Sequence, residues 1–343
     1  MMRLKHWENN TTTKHIRNRK AMKIFIQSPN INSPHGGIRV INEWANRLTD
    51  LGHNVVLFNQ AGPVRCDFMP IKCKIVNTIN LLPKSDCLIV TSPHGAYLLD
   101  KDQPKKKFIF LQMLEHLFNP TNKRFLNDCI KLYTSPYPLI SISVWNIVKL
   151  RSTYKRKGPI HYVGNGVNLD DFPISTKPKD GKVILLESPE PTNHAKDVDR
   201  IAIKVANYFK YKGYIIKGFG LKKPTADIFD EFIVKPDLAQ MNRLYEEATI
   251  MIKATKFDAR STAPMEAMTK GTVTVRAIIE GDDDLKESNS YRTKYDYEKL
   301  LWTTKYALYA QQDTQKRAEN ALLYVQTYTW DYWINKINEI ICD

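Results

Sequence analysis

The sequence predicts an α/β protein of two doubly wound domains facing one another across a cleft. Three observations carry that prediction. Apolar, β-branched runs alternate with helical stretches from residue 22 onward, and the alternation restarts near residue 174. In addition, 343 residues are too many for one ordinary core and suit two domains.

In the first half, KIFIQS, NVVLFN, DCLIV, KFIFLQ, LISIS and IHYVG read as strands, and IRVINEWANRLTDLG as a helix closed by a glycine. Strand followed by helix, repeated, argues for a parallel sheet covered on both faces. After the turn-rich DDFPISTKPKDG the pattern resumes with KVILLES, DVDRIAIKVANYFKYKG, YIIKGFG, EFIVK, LAQMNRLYEEA, TIMIKAT and TVTVRAI. The expected organisation is a basic flexible tail at 1–21, an amino-terminal domain at 22–173 and a second domain at 174–312. Residues 313–343 are expected to be helices packing back on the first domain. Their aromatic residues, Tyr324, Tyr328, Trp330 and Trp333, read as core.

A formal charge of +15 will draw the protein toward polyanions. The tail holds Arg3, Lys5, Lys14, Arg17, Arg19 and Lys20 against Glu8, yet the body remains clearly basic without it. Five cysteines form no CxxC pair and no metal-ligand spacing, so a reducing compartment is expected and neither a zinc site nor a disulfide framework. No apolar run reaches the length of a membrane span, and the polar start lacks a secretion-signal core. The expected location is the cytoplasm, free or resting on the inner face of a membrane.

Ligands of doubly wound sheets bind at the carboxyl ends of strands, so loops just after strands are the places to look. Gly36 and Gly37 in SPNINSPHGGIRVINEW follow a strand and open a helix, where backbone N–H groups favour an anion; a ligand-free tight turn has the same signature. His94 in LIVTSPHGAYLL is placed to bond a phosphate or sugar hydroxyl, or to be a satisfied core histidine. Asn165 and Gly166 in HYVGNGVNLDDF read as the turn between the domains. The richest segment is IMIKATKFDARSTAPMEAMTKGTVTV. There a strand leads to Asp258 and a helix begins around Pro264 with Glu266 in its first turn, so that two carboxylates flank seven residues. A carboxylate so placed can accept hydrogen bonds from neighbouring sugar hydroxyls, or simply complement the helix dipole.

Together GGIRVINEWANRLTDLGH, HYVGNGVNLDDF and KFDARSTAPMEAMTKGTVTV, in this order and spacing, resemble the retaining glycosyltransferases of family 4, which have the GT-B fold of two Rossmann-like domains. The likeness covers nearly all of residues 22–335. It implies that Glu266 holds the ribose of a nucleotide-sugar donor. It also implies that Asp258, with the backbone N–H groups at Ala259, Arg260 and Ser261, faces the transferred sugar. The family has glutamate at the first of these positions, and aspartate is shorter by one methylene. Of the basic pair that binds the donor diphosphate, Lys196 matches the second member. The first is absent from SPEPTNHA, where His194 is a poor substitute, and Lys253, Lys256 and Arg260 are candidates to supply its charge. His94 matches the family's catalytic-domain histidine, Gly36 and Gly37 its first glycine loop, and Gln112 and Glu115 in FLQMLEHLFNP an acceptor-side segment. The acidic GDDDL at 281–285 reads as a loop, and no metal or cofactor beyond the nucleotide-sugar co-substrate is implied.

The resulting expectation is transfer of a sugar, with retained configuration, to a hydroxyl. Hydroxymethylated cytosine in DNA of the phage type is favoured as acceptor, because the charge excess extends over tail and body and includes the stretches Lys105 to Lys107 and Lys149 to Lys157. A membrane-linked glycan on an anionic surface is the alternative. A third reading is a non-catalytic binding protein descended from the enzyme, which Asp258 and the missing arginine would suit.

Overall fold

A computed structural model describes residues 20–78, 84–187, 200–281 and 286–343. Thirteen strands among them form two sheets. The first comprises β1 (Lys23–Ser28), β2 (Asn54–Asn59), β3 (Lys74–Val76), β4 (Cys87–Val90), β5 (Lys106–Leu111), β6 (Leu139–Ser141) and β7 (Ile160–Tyr162), in the order β3-β2-β1-β4-β5-β6-β7. The second comprises β8 (Val183–Glu187), β9 (Ile215–Gly220), β10 (Glu231–Val234), β11 (Ile250–Asp258), β12 (Val273–Gly281) and β13 (Tyr291–Lys294), in the order β10-β9-β8-β11-β12-β13. Every pairing is parallel.

The period of two along each strand sorts its side chains onto two cores. Ile24, Ile26, Val55, Leu57, Cys87 and Ile89 join one face of the first sheet, while Phe25, Val56, Phe58, Leu88 and Val90 join the other. In the second sheet Ile184, Leu186, Ile250 and Ile252 face one way, and Val183, Leu185 and Met251 the opposite way. Both faces of both sheets are dry, which is why the strands read as nearly continuous apolar runs.

Helices cover the four faces. They are α1 (Gly36–Asp50), α2 (Lys123–Thr134), α3 (Val144–Ser152), α4 (Ile201–Lys210), α5 (Leu238–Glu247), α6 (Thr262–Met268), α7 (Tyr297–Tyr309), α8 (Gln311–Thr327) and α9 (Trp330–Cys342). A 3-10 turn at Pro93–Leu98 follows β4. The helix expected around Pro264 begins two residues earlier, at Thr262, so Glu266 lies in its second turn.

The chain crosses between the domains twice. On the outward crossing Val167 bridges to Thr329 of the return, and a methyl on Gly166 would stand 2.2 Å from the Trp330 backbone nitrogen. Only glycine lets the two segments touch there. Ala318, Ala321 and Val325 of α8 pack with the second sheet, whereas Trp330, Trp333, Ile334, Ile337 and Ile341 of α9 lie in the first domain's core beside Trp44 and Phe110. The return therefore falls at residues 328–330. No helix among the described residues is long and apolar enough to cross a membrane.

Candidate active site

Strand order reverses between β1 and β4 in the first sheet and between β8 and β11 in the second, the points at which open α/β sheets take their ligands. The loop after β1 delivers Gly36 and Gly37 to the start of α1, and the turn after β4 carries His94. Across the cleft, β11 ends in Asp258 and α6 begins at Thr262. The two helix starts meet: a methyl on Gly36 would lie 3.2 Å from Thr262 Oγ1. Neither His35 nor Ser261, the N-cap residues, caps its helix with its side chain. Gln112 holds the glycine loop by donating from Nε2 to the Gly37 carbonyl at 2.8 Å.

Glu266 sits at this junction, 6% exposed. Tyr245 donates its hydroxyl to Oε2 at 3.0 Å, and Arg39 of α1 brings Nη1 to 3.3 Å from Oε1. Burial, then the adjacent carboxylate, pushes the Tyr245 hydroxyl far above its ordinary range, so it stays protonated and donates. The Glu266 charge in turn raises Arg39, which remains a cation. Each carboxylate oxygen thus has one donor and keeps acceptor capacity for another.

Asp258 lies over a charged group at the carboxyl end of the second sheet. Lys253 and Arg276 are register partners on β11 and β12, 3% and 0% exposed. Asp258 Oδ2 is 3.8 Å from Lys253 Nζ and 3.5 Å from Arg276 Nη2, and Glu187 at the end of β8 pairs with Lys253. The carboxylate is drawn toward the sheet, its side chain 14% exposed.

The other expected residues divide. Ala259 is buried in the first domain's core, and Ser261 stands at the start of α6. Arg260 runs into the seam: Nε donates to the Asn165 carbonyl at 2.9 Å, Nη1 to the Tyr162 hydroxyl at 3.0 Å, and the guanidinium lies over Trp333. His94 is exposed and leans on Phe125, in a turn fixed by buried Gln27, which accepts from the Thr91 and Ser92 backbone at 2.9 and 3.2 Å. Glu115 is half-buried, and desolvation pushes its carboxyl up to about 8. Lys196, His194 and the residues 282–285 of GDDDL lie outside the described residues.

Half of the cations in the basic stretches offered as a polyanion track are spent inside the molecule. Lys106 and Lys107 donate to backbone carbonyls, Lys149 pairs with Glu280 at 2.6 Å, and Arg156, 2% exposed, bonds the Tyr133 carbonyl. Lys105, Arg151, Lys155 and Lys157 stay exposed. Sequence reasoning also missed Arg39, Tyr245, Glu187 and Arg276. Only a strand's polar interruptions, Lys253 and Arg276 in TIMIKAT and TVTVRAI, offered a signal.

Solved structures match this architecture along nearly its whole length. Sucrose-phosphate synthase from Thermosynechococcus elongatus superposes with a TM-score of 0.75 at 13% identity, over 93% of this chain and 98% of that one. The chain has the GT-B fold. WaaG, a glycosyltransferase involved in lipopolysaccharide biosynthesis, gives 0.68 at 14% identity over 93% and 99%. An alpha-glucosyltransferase in complex with UDP-glucose and DNA containing an abasic site gives 0.64 at 12% identity over 94% and 100%. No family model matches the sequence, and no curated protein does. Within the GT-B fold, the crevice between Gly36 and Glu266 is the cleft between its two domains.

Proposed function

We propose that the protein is a retaining glycosyltransferase moving a sugar from a nucleoside diphosphate to a hydroxyl acceptor. The observation that carries this reading is Glu266, held between the domains with one donor on each oxygen and lone-pair capacity left on both, which suits a ribose diol. The bond from the anomeric carbon to the phosphate breaks as the acceptor oxygen attacks from the same face, and the acceptor proton passes to the departing phosphate. The start of α1, with Lys196, would stabilise the charge that develops there. Asp258 and the backbone N–H groups at Ala259, Arg260 and Ser261 would face the sugar, with His94 across the cleft. The fold neighbours include proteins crystallised with UDP-glucose, which supports a nucleotide-sugar donor. Release of nucleoside diphosphate should be measured with a panel of nucleotide sugars. Glu266→Ala should abolish it, and undiminished release would overturn the assignment, whereas no release from the unaltered protein with any donor would favour a non-catalytic descendant.

For the acceptor we favour a hydroxymethylated base in DNA. The chain's net charge and the DNA-bound neighbour support it. A membrane-linked glycan is favoured by one observation, the exposed pair Val144 and Val148 on α3 beside Trp145, whose indole N–H donates to Glu280 of the second domain. Transfer of label to hydroxymethylcytosine DNA, tested beside a lipid-linked glycan, separates the two.

A further inference from the structure

The orientation of Glu266, in the second domain, depends on a residue of the first. Tyr245 is fully buried and belongs to the same domain as the carboxylate it bonds, whereas Arg39 reaches across the cleft from the first turn of α1. A single donor leaves the terminal torsion of a glutamate broad, and two donors on different oxygens narrow it. At 6% exposure Glu266 has little water to replace a lost donor. Arg39, with 35% of its side-chain surface open, can follow the first domain if the cleft widens.

We propose that Arg39 is a positioning residue that pins the Glu266 carboxylate for a vicinal diol, so that nucleoside recognition by the second domain is completed by the first. The proposal rests on reading Glu266 as the ribose ligand. Were Arg39 instead a plug in the empty cleft, removing it would tighten nucleotide binding.

The test is calorimetric titration of the full chain with UDP, GDP and ADP, each beside its 2′,3′-dideoxy counterpart. Unaltered protein should prefer the diol form of its nucleotide by about tenfold, the value of one hydrogen bond to a charged group. Arg39→Gln should reduce that preference to about threefold or less while leaving dideoxynucleotide affinity nearly unchanged, a pattern that a general loss of structure would not give. Arg39→Lys, which keeps the charge without the planar fork, should fall between the two and serves alone if the glutamine variant does not fold. An undiminished diol preference in the variants, or tighter UDP binding, overturns the proposal. Absence of any diol preference in the unaltered protein removes the ribose reading itself, and this inference with it.

Discussion

Two cations placed side by side on neighbouring strands repel and lose their hydration, so Lys253 and Arg276 are tolerable only with carboxylates against them. Glu187 and Asp258 supply these. Asp258→Asn should therefore cost about 3 kcal/mol in urea unfolding besides impairing transfer. An unchanged midpoint would mean that other groups neutralise the pair. Glu115 gives a separate, pH-dependent term. Its folded value of about 8 lies above the ordinary 4.5, so the folded state holds a proton that the unfolded state has released between those values. Stability from this group is intact below about 4.5 and declines as pH rises toward 8. Glu115→Gln should flatten the fall of melting temperature with pH over that window, and identical slopes in the two proteins would exclude the effect.

Among the elements, α9 decides most. Trp333 packs in the first domain's core, stacks on Tyr328, meets Tyr162 edge-on and carries the guanidinium of Arg260. Trp333→Ala should cost about 4 kcal/mol, measured by denaturant unfolding. Gly166→Ala forces a methyl onto the backbone of Trp330, a core residue of the first domain, and should loosen the double crossing, visible as faster proteolysis between residues 163 and 172. The sheets were legible in the sequence because strands dry on both faces are written as apolar runs. The short edge strands β3 and β13, half-exposed and containing lysines and an arginine, carry no such run and were not read. The glycine loop and Glu266 were singled out through the family resemblance, since a tight turn and a charge that complements a helix dipole leave the same local signature. Arg39 was not, since an arginine in a first helical turn looks like solvated surface until the opposite domain is in place. Lys107 and Arg156 misled for the same reason: charge is visible in a sequence, and the carbonyls that consume it are not.

At the scale of the whole molecule, two polar struts span the cleft among the described residues. Arg39 meets Glu266 on one side, and on the other Lys149 and Trp145 both reach Glu280, Trp145 Nε1 donating to Oε2 at 3.1 Å. Glu280→Ala removes the second strut, and small-angle scattering should then record a larger radius of gyration in the nucleotide-free protein. An unchanged radius would assign the spacing of the domains to the Arg39–Glu266 contact and the seam around Trp333.

The double crossing also constrains the order in which the molecule can be built. The second domain's cores draw on residues 167–325, one uninterrupted stretch, whereas the first domain's core waits for Ile341. During synthesis all seven strands of the first sheet and α1 precede the second domain, but the part of the α1-side core that α9 fills stays open while the second domain is made. The last helix then seals what the first strand began.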